Sequence, residues 1–182
     1  MYKQEIKQAK IDKQEKKTRY ITTQLIADIF YNHLLTLEQT PIDYHIDMCF
    51  TADGHTYDVE VKSRNKNINK YPYLELKHSK LNNMLKHHQN QTLIYVVMVN
   101  SDTAYFFNLS KLNWEEIETT MLTIKKVEYL EDSEKETVPV YQLPISKAIM
   151  RVPIKSYLDR YAILEKRNKK NTISKKATQP DC

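Results

Sequence analysis

The chain has 182 residues, 41% of them hydrophobic, and carries 28 Lys or Arg against 23 Asp or Glu for a net charge of +5. That suffices for one domain with its own core, and the lone glycine excludes a P-loop or a Gly-rich dinucleotide fingerprint, both of which need several glycines for backbone to approach phosphate. Two cysteines exclude a disulfide framework, which fits a reducing compartment, and no stretch approaches the roughly 18 to 20 apolar residues of a membrane span.

Residues 1–17 are charged and nearly without large apolar side chains, so they read as a basic N-terminal arm or a frayed helix. They lack the apolar segment that follows the basic start of a secretory signal. From Thr18 to Leu37 the side chains of Ile21, Leu25, Ile26, Ile29, Phe30, Leu34 and Leu37 recur at helical spacing, with Thr18 as cap and Pro41 just past the end. This predicts the first helix, whose interior acid is Asp28.

The stretch from Ile46 to Lys62 reads as a hairpin. Asp53-Gly54 between two alternating apolar runs is a strong signal for a two-residue turn with positive φ at both positions. That turn sets Cys49 opposite Asp58, Met48 opposite Val59, Asp47 opposite Glu60 and Ile46 opposite Val61. One face then carries His45, Asp47, Cys49, Asp58, Glu60 and Lys62, and the other Ile46, Met48, Phe50, Tyr57, Val59 and Val61. Carboxylates directly across a strand pair have Cβ atoms about 4.5 to 5.5 Å apart and repel unless a cation lies between them. Such hard oxygens suit Mg²⁺ or Mn²⁺, which completes its shell with water and phosphate oxygens. Lys62, two residues along, is placed to orient a water or to offset charge building on a transferring phosphate. The alternative is a solvated face on which Lys62 pairs with Glu60 or Asp58, worth about 0 to 1 kcal/mol.

After the hairpin, Arg64 to Lys70 is a polar, asparagine-rich loop, and Pro72 suits the start of a helix with Leu74, Leu81, Met84 and Leu85 on its apolar face, ending near His88. Residues 62–88 hold seven Lys or Arg against Glu75 alone, a balance that suits a polyanion whose bound counterions are released on binding. Within it, Tyr71 and Tyr73 are placed either to stack on bases or to anchor the segment. The histidines His78, His87 and His88 have no zinc-ligand spacing. Thr92 to Val99 is a continuous apolar run of the kind buried on both faces of a sheet, and a helix between it and the hairpin argues parallel pairing through a crossover. Asn100-Ser101-Asp102 is turn chemistry, Thr103 to Leu109 another strand, and Ser110 the cap of a short helix through Trp114 and Ile117. Two more strands are expected at 122–130 and 138–145, around the acidic loop from Glu131 to Thr137, and a closing helix from Tyr157 to Leu164. The expected division is the arm at 1–17, an α/β core at 18–112, a sheet extension or small lobe at 113–165, and a basic disordered tail at 166–182.

Asp47, then a hairpin, then Val59-Glu60-Val61-Lys62-Ser63-Arg64 resembles the PD-(D/E)XK nuclease superfamily, and is most similar to its resolvase-like and Mrr-like branches. The resemblance covers residues 18–112 and departs from the pattern at the eponymous proline, where Ile46 stands; the nearest match is Pro41-Ile42-Asp43, which makes Asp43 a reserve for the first acid. It implies an α/β fold with a restriction-endonuclease-like core, a mixed central sheet of αβββαβ-type order flanked by helices. It further implies that Asp47, Glu60 and the Val61 carbonyl hold Mg²⁺, with Mn²⁺ able to substitute, and that Lys62 assists the water. Asp28, on the first helix, is the position from which the family often draws an extra acid, and Asp58 is the remaining reserve.

The leading expectation is therefore a Mg²⁺-dependent endonuclease, with Arg64, Lys66 and Lys70 on phosphates and DNA favoured over RNA as partner. The second is a catalytically inactive nucleic-acid-binding or assembly protein that keeps the nuclease-like fold, in a phage or mobile element. A third is a protein-interaction module built on the acidic stretch from Glu115 to Glu136. The expected location is the cytoplasm, a phage particle or an infected cell, neither secreted nor membrane-bound, with a homodimer left open.

Overall fold

A computed structural model of the chain describes residues 2–41, 44, 46–87, 91–125 and 134–177. In chain order these form helix α1 (Tyr2–Ile29) and strands β1 (Leu34–Gln39), β2 (Met48–Ala52), β3 (His55–Arg64) and β4 (Tyr73–Lys77), followed by helix α2 (His78–His87). Strands β5 (Thr92–Val99) and β6 (Thr103–Asn108) come next, then two 3₁₀ turns (Leu109–Lys111 and Trp114–Glu116). Strands β7 (Thr119–Lys125), β8 (Lys135–Pro144) and β9 (Met150–Pro153) precede helix α3 (Lys155–Ala177).

Six strands make one sheet in the order β1-β2-β3-β5-β6-β9, and the other three make a second in the order β4-β8-β7. In the larger sheet β3 and β5 run parallel and every other neighbour pair is antiparallel. The fold is thus α/β with a mixed central sheet flanked by helices. Its α1, β1 to β3, α2 and β5 follow the expected αβββαβ order, with β4 interposed ahead of α2.

The layering follows from which side chains must leave water. On one face of the large sheet, Met48, Phe50, Val59, Val61, Val96 and Phe106 pack under Ile21, Leu25 and Ile26 of α1, with Tyr157 and Leu158 of α3 beside them. On the other, Tyr95, Val97 and Phe107 meet Leu81 and Met84 of α2 together with Leu74, Leu76 and Leu143 of the small sheet. Strand β5, buried along almost its whole length, is the strand both cores share, as its unbroken apolar run predicts.

Several elements differ from the sequence expectation, three of them in kind and the others in extent. The first helix starts at Tyr2 and stops at Ile29, while Leu34 and Leu37 belong to β1, where the register shifts between Leu34 and Thr36. A bulge of this kind puts residues three apart on one face, which is the spacing of a helix. The helix expected from Pro72 is β4 followed by α2: Leu74 and Leu76 are buried while Tyr73 and Glu75 are half-buried, a period of two rather than 3.6. The helix expected at Ser110 is the pair of 3₁₀ turns. Beyond Leu164, α3 continues to Ala177. Strand β7 begins at Thr119 and β8 reaches back to Lys135; both pair in the small sheet with β4.

The hairpin register agrees with the Asp53-Gly54 reading from Met48↔Val59 to Ala52↔His55. Asp53 and Gly54 have φ of 50° and 75°, the positive pair that a type I′ turn needs. A Cβ on Gly54 would meet nothing within 4 Å, so substitution there costs backbone strain alone. Gly54→Ala is expected to lower unfolding stability by about 1 kcal/mol and Gly54→Asn by less, measured by urea denaturation; equal losses would show that crowding, not φ, sets the penalty.

Candidate functional site

Strand β2 begins at Met48, and Asp47 lies just ahead of it in a bend. Its N–H donates to the Val59 carbonyl at 2.9 Å, so the ladder does not continue to a facing Asp47 and Glu60 pair. Ile46 leaves the pleat with it and is buried in the α2-side core rather than beside Met48, a correction to the expected faces. Released from the alternation, the Asp47 carboxylate turns along β3. Oδ2 accepts the Val61 N–H at 2.7 Å, and Oδ1 accepts Nη2 of Arg19 at 2.7 Å. Arg19, 5% exposed on α1, also donates from Nη1 to the Thr40 carbonyl and lies 3.4 Å from Glu15.

Glu60 points to the α2 side of the sheet, where Lys80 Nζ lies 2.7 Å from its Oε2. Burial, with the Asp47 charge adding to it and Lys80 opposing, pushes the Glu60 carboxyl up to about 7. Lys62 follows on the same face and is exposed. Asp47, Glu60, Val61 and Lys62 together line a cleft of about 320 Å³, walled by Gln14, Arg19 and Lys80. A wider cleft of about 580 Å³ adjoins it and shares Lys62 and Arg64.

The other candidate residues sort by place. Arg64 lines both clefts, and Lys66 lines the wider one, paired at 2.5 Å with Glu75. Lys70 lies over the Tyr71 ring, 5.1 Å from its centre. Asp28 is remote, held at the α1–α3 contact by the Tyr157 hydroxyl at 2.9 Å and by Arg160. Asp58 is buried on β3 outside the residues lining the cleft, and Asp43 lies outside the described residues. The charged hairpin face is not open along its length: Asp58 and Glu60 are 3% and 8% exposed, because α2 and the small sheet cover that side. Sequence reasoning missed Arg19 and Lys80 as site residues. Arg19 carried a signal, being an arginine on the buried stripe of α1 with Thr22 and Ile26; Lys80 carried none beyond its charge.

Two carboxyl groups with lone pairs to spare, lining one open cleft, fit a hard divalent cation. Among the described residues no three His, Cys, Asp or Glu side chains gather as ligands. An ion here would therefore take Asp47 and Glu60, with the Val61 carbonyl as the further oxygen that the family resemblance implies, and complete its shell with water and phosphate oxygens.

The electrostatics of Glu60 set a pH dependence. Its folded pKa of about 7 exceeds the ordinary 4.5, so the proton is held more tightly in the native chain. Stability from this group is full below pH 4.5 and is lost as pH rises through 7. Glu60→Gln should flatten that decline by about 3 kcal/mol between pH 4.5 and 8, read from metal-free urea unfolding at each pH. Parallel curves for the two proteins would mean that Glu60 ionises as it does in water.

No protein-family model matches the chain, and no curated protein matches it. Among solved structures, a Holliday junction resolvase, Hjc, from the archaeal hyperthermophile Archaeoglobus fulgidus is similar to it at 11% identity, over 74% of this chain and 96% of that one, with a TM-score of 0.43.

Proposed function

We propose that the chain is a metal-dependent nuclease that hydrolyses phosphodiester bonds in DNA, as the PD-(D/E)XK-like motif implies. The observation that carries this reading is the convergence of Asp47, Glu60 and Lys62 in one cleft that opens onto a basic one. Bound Mg²⁺ or Mn²⁺ would supply Lewis-acid activation of the phosphate and of water. Asp47, fixed by Arg19 and the Val61 N–H, keeps its carboxylate aimed into the cleft. Glu60 supplies the second oxygen donor, and its proton must leave before it can ligate. Lys62, exposed at the mouth, orients the attacking water or offsets the charge gathering on phosphate. Arg64, at the junction of the clefts, holds the backbone through a bidentate contact with phosphate.

A second reading is favoured by one observation: Arg19 and Lys80 already occupy the Asp47 and Glu60 carboxyl groups as internal partners. A chain that relied on those internal cations would bind nucleic acid without cutting it.

Incubation with supercoiled plasmid and branched DNA, with Mg²⁺, Mn²⁺ or EDTA, separates the two. The nuclease reading expects cleavage that EDTA abolishes and that Lys62→Ala slows by about 10² to 10⁴-fold, with the melting temperature retained. Metal-dependent cleavage that survives Lys62→Ala would remove the role given to Lys62. Salt-sensitive DNA binding without cleavage, and without a rise in melting temperature on adding Mn²⁺, would establish the second reading.

A further inference from the structure

We propose that the wider cleft is a site for single-stranded DNA, taking unpaired bases that lead away from the Asp47–Glu60 cleft. Its direction relative to the chemistry rests on the nuclease reading; its ligand class rests on its own walls. Along one side run Lys62 and Arg64 of β3 and then Lys66, cations suited to follow a phosphate backbone. On the other side lie Tyr71 and Tyr73, with rings 6.3 Å apart at 70°, leading into β4. Leu122 and Ile124 of β7 complete the wall. In the small sheet β7 is separated from β4 by β8 alone, and the register sets Leu122, opposite Val138, two residues along β8 from the level of Lys77, opposite Val140, so the aliphatic wall continues the cleft beyond the β4 end of the tyrosine wall. Among the described lining residues the sole acid is Glu75, already paired with Lys66.

Aromatic rings beside a cationic track are how unpaired bases are held without reading their sequence, because every free base offers a π face. Bases inside a duplex are paired and stacked on one another, so they have no such face to give. Tyr71 is 40% exposed and Leu122 37% exposed, apolar surface that water does not favour and a base would cover. The basic rim is also held rigid. Asn100, at φ 52° in the β5–β6 turn, accepts the Lys66 N–H and donates to the Lys66 carbonyl, both at 2.9 Å, while its own N–H donates to the Arg64 carbonyl at 2.8 Å. Two strand ends are thus clamped where the clefts meet, and the Lys66 ammonium rests 3.8 Å over the Tyr73 ring. A strand threaded along this rim would pass its phosphates by Arg64 and Lys66 and its bases over Tyr71.

The test is fluorescence anisotropy of the full chain in EDTA, so that binding is read without cleavage, against a blunt duplex, the same duplex with an oligo-dT tail, and oligo-dT alone. The tailed duplex should bind about 10-fold tighter than the blunt one. Tyr71→Ala and Leu122→Ala, both at exposed positions, should each erase most of that advantage while leaving blunt-duplex affinity and melting temperature unchanged. Equal affinity of the natural protein for tailed and blunt duplex would overturn the single-strand site and leave the nuclease reading standing. A tail advantage that survives both substitutions also overturns it. Failure to bind any of the three DNAs would overturn both readings together.

Discussion

The Asp47 carboxylate, shared between the Arg19 guanidinium and the Val61 N–H, is the interaction on which the cleft depends. It ties three pieces of chain distant in sequence: the middle of α1, the residue ahead of β2, and the centre of β3. An arginine 5% exposed needs its charge met, and here it is met by Asp47 and the Thr40 carbonyl. Removing one member of such a pair typically costs about 3 to 5 kcal/mol, because the survivor stays buried and uncompensated. The pair therefore does more than aim a carboxylate. It sets how far α1 slides along the sheet, and with it the Gln14 and Thr18 side of the cleft.

Strand β3 converts that anchoring into a chemical gradient. Glu60, Lys62 and Arg64 occupy alternate positions and so share a face, but their surroundings change along the strand. Glu60 lies under α2, where desolvation favours its neutral form, while Lys62 is exposed and Arg64 half-buried at the meeting of the clefts. Within three alternate positions one face passes from a buried acid to water-facing cations. Such an order suits a polyanion that must bring one phosphate to the acids while its neighbours stay on basic ground.

The hairpin was legible in the sequence because its determinants are local. Asp53-Gly54 demands positive φ, the flanking alternation supplies the faces, and the two together place Met48 opposite Val59 without reference to the rest of the chain. Strand β5 was legible for a similar reason, since a short apolar run rich in β-branched residues and followed by turn chemistry suits a strand buried on both faces. What escaped is what depends on distant partners. The two leucines of β4 are alternate residues, yet Leu81 and Met84 follow so closely that the whole segment mimics a helical stripe. It becomes a strand because β8, some 65 residues later, pairs with it from Tyr73↔Pro144 to Lys77↔Val140. The first half of α1, poor in apolar side chains, gains part of its contact from α3 through Lys13–Glu165, as Tyr20–Tyr161 does further along. The site divides in the same way. Glu60 and Lys62 were readable from their strand, whereas Arg19 and Lys80 reach it from helices whose docking no local pattern announces.

The two internal cations are not equivalent. Arg19 is locked: its side chain is 6% exposed, and its planar guanidinium is bound to Asp47 and to a backbone carbonyl. Lys80 is 29% exposed on a flexible stem and contacts one oxygen of a carboxyl that holds its proton up to about pH 7. Ion entry would thus leave the Arg19–Asp47 pair intact and proceed at Glu60, where losing a proton and displacing an ammonium make room for a cation. Asp47 is a fixed point of the cleft and Glu60 its adjustable one. The desolvation that raises the Glu60 pKa also makes a compensating positive charge worth more there than in water. The same burial that holds Glu60 neutral when it is alone would make its ionised form bind a divalent cation tightly.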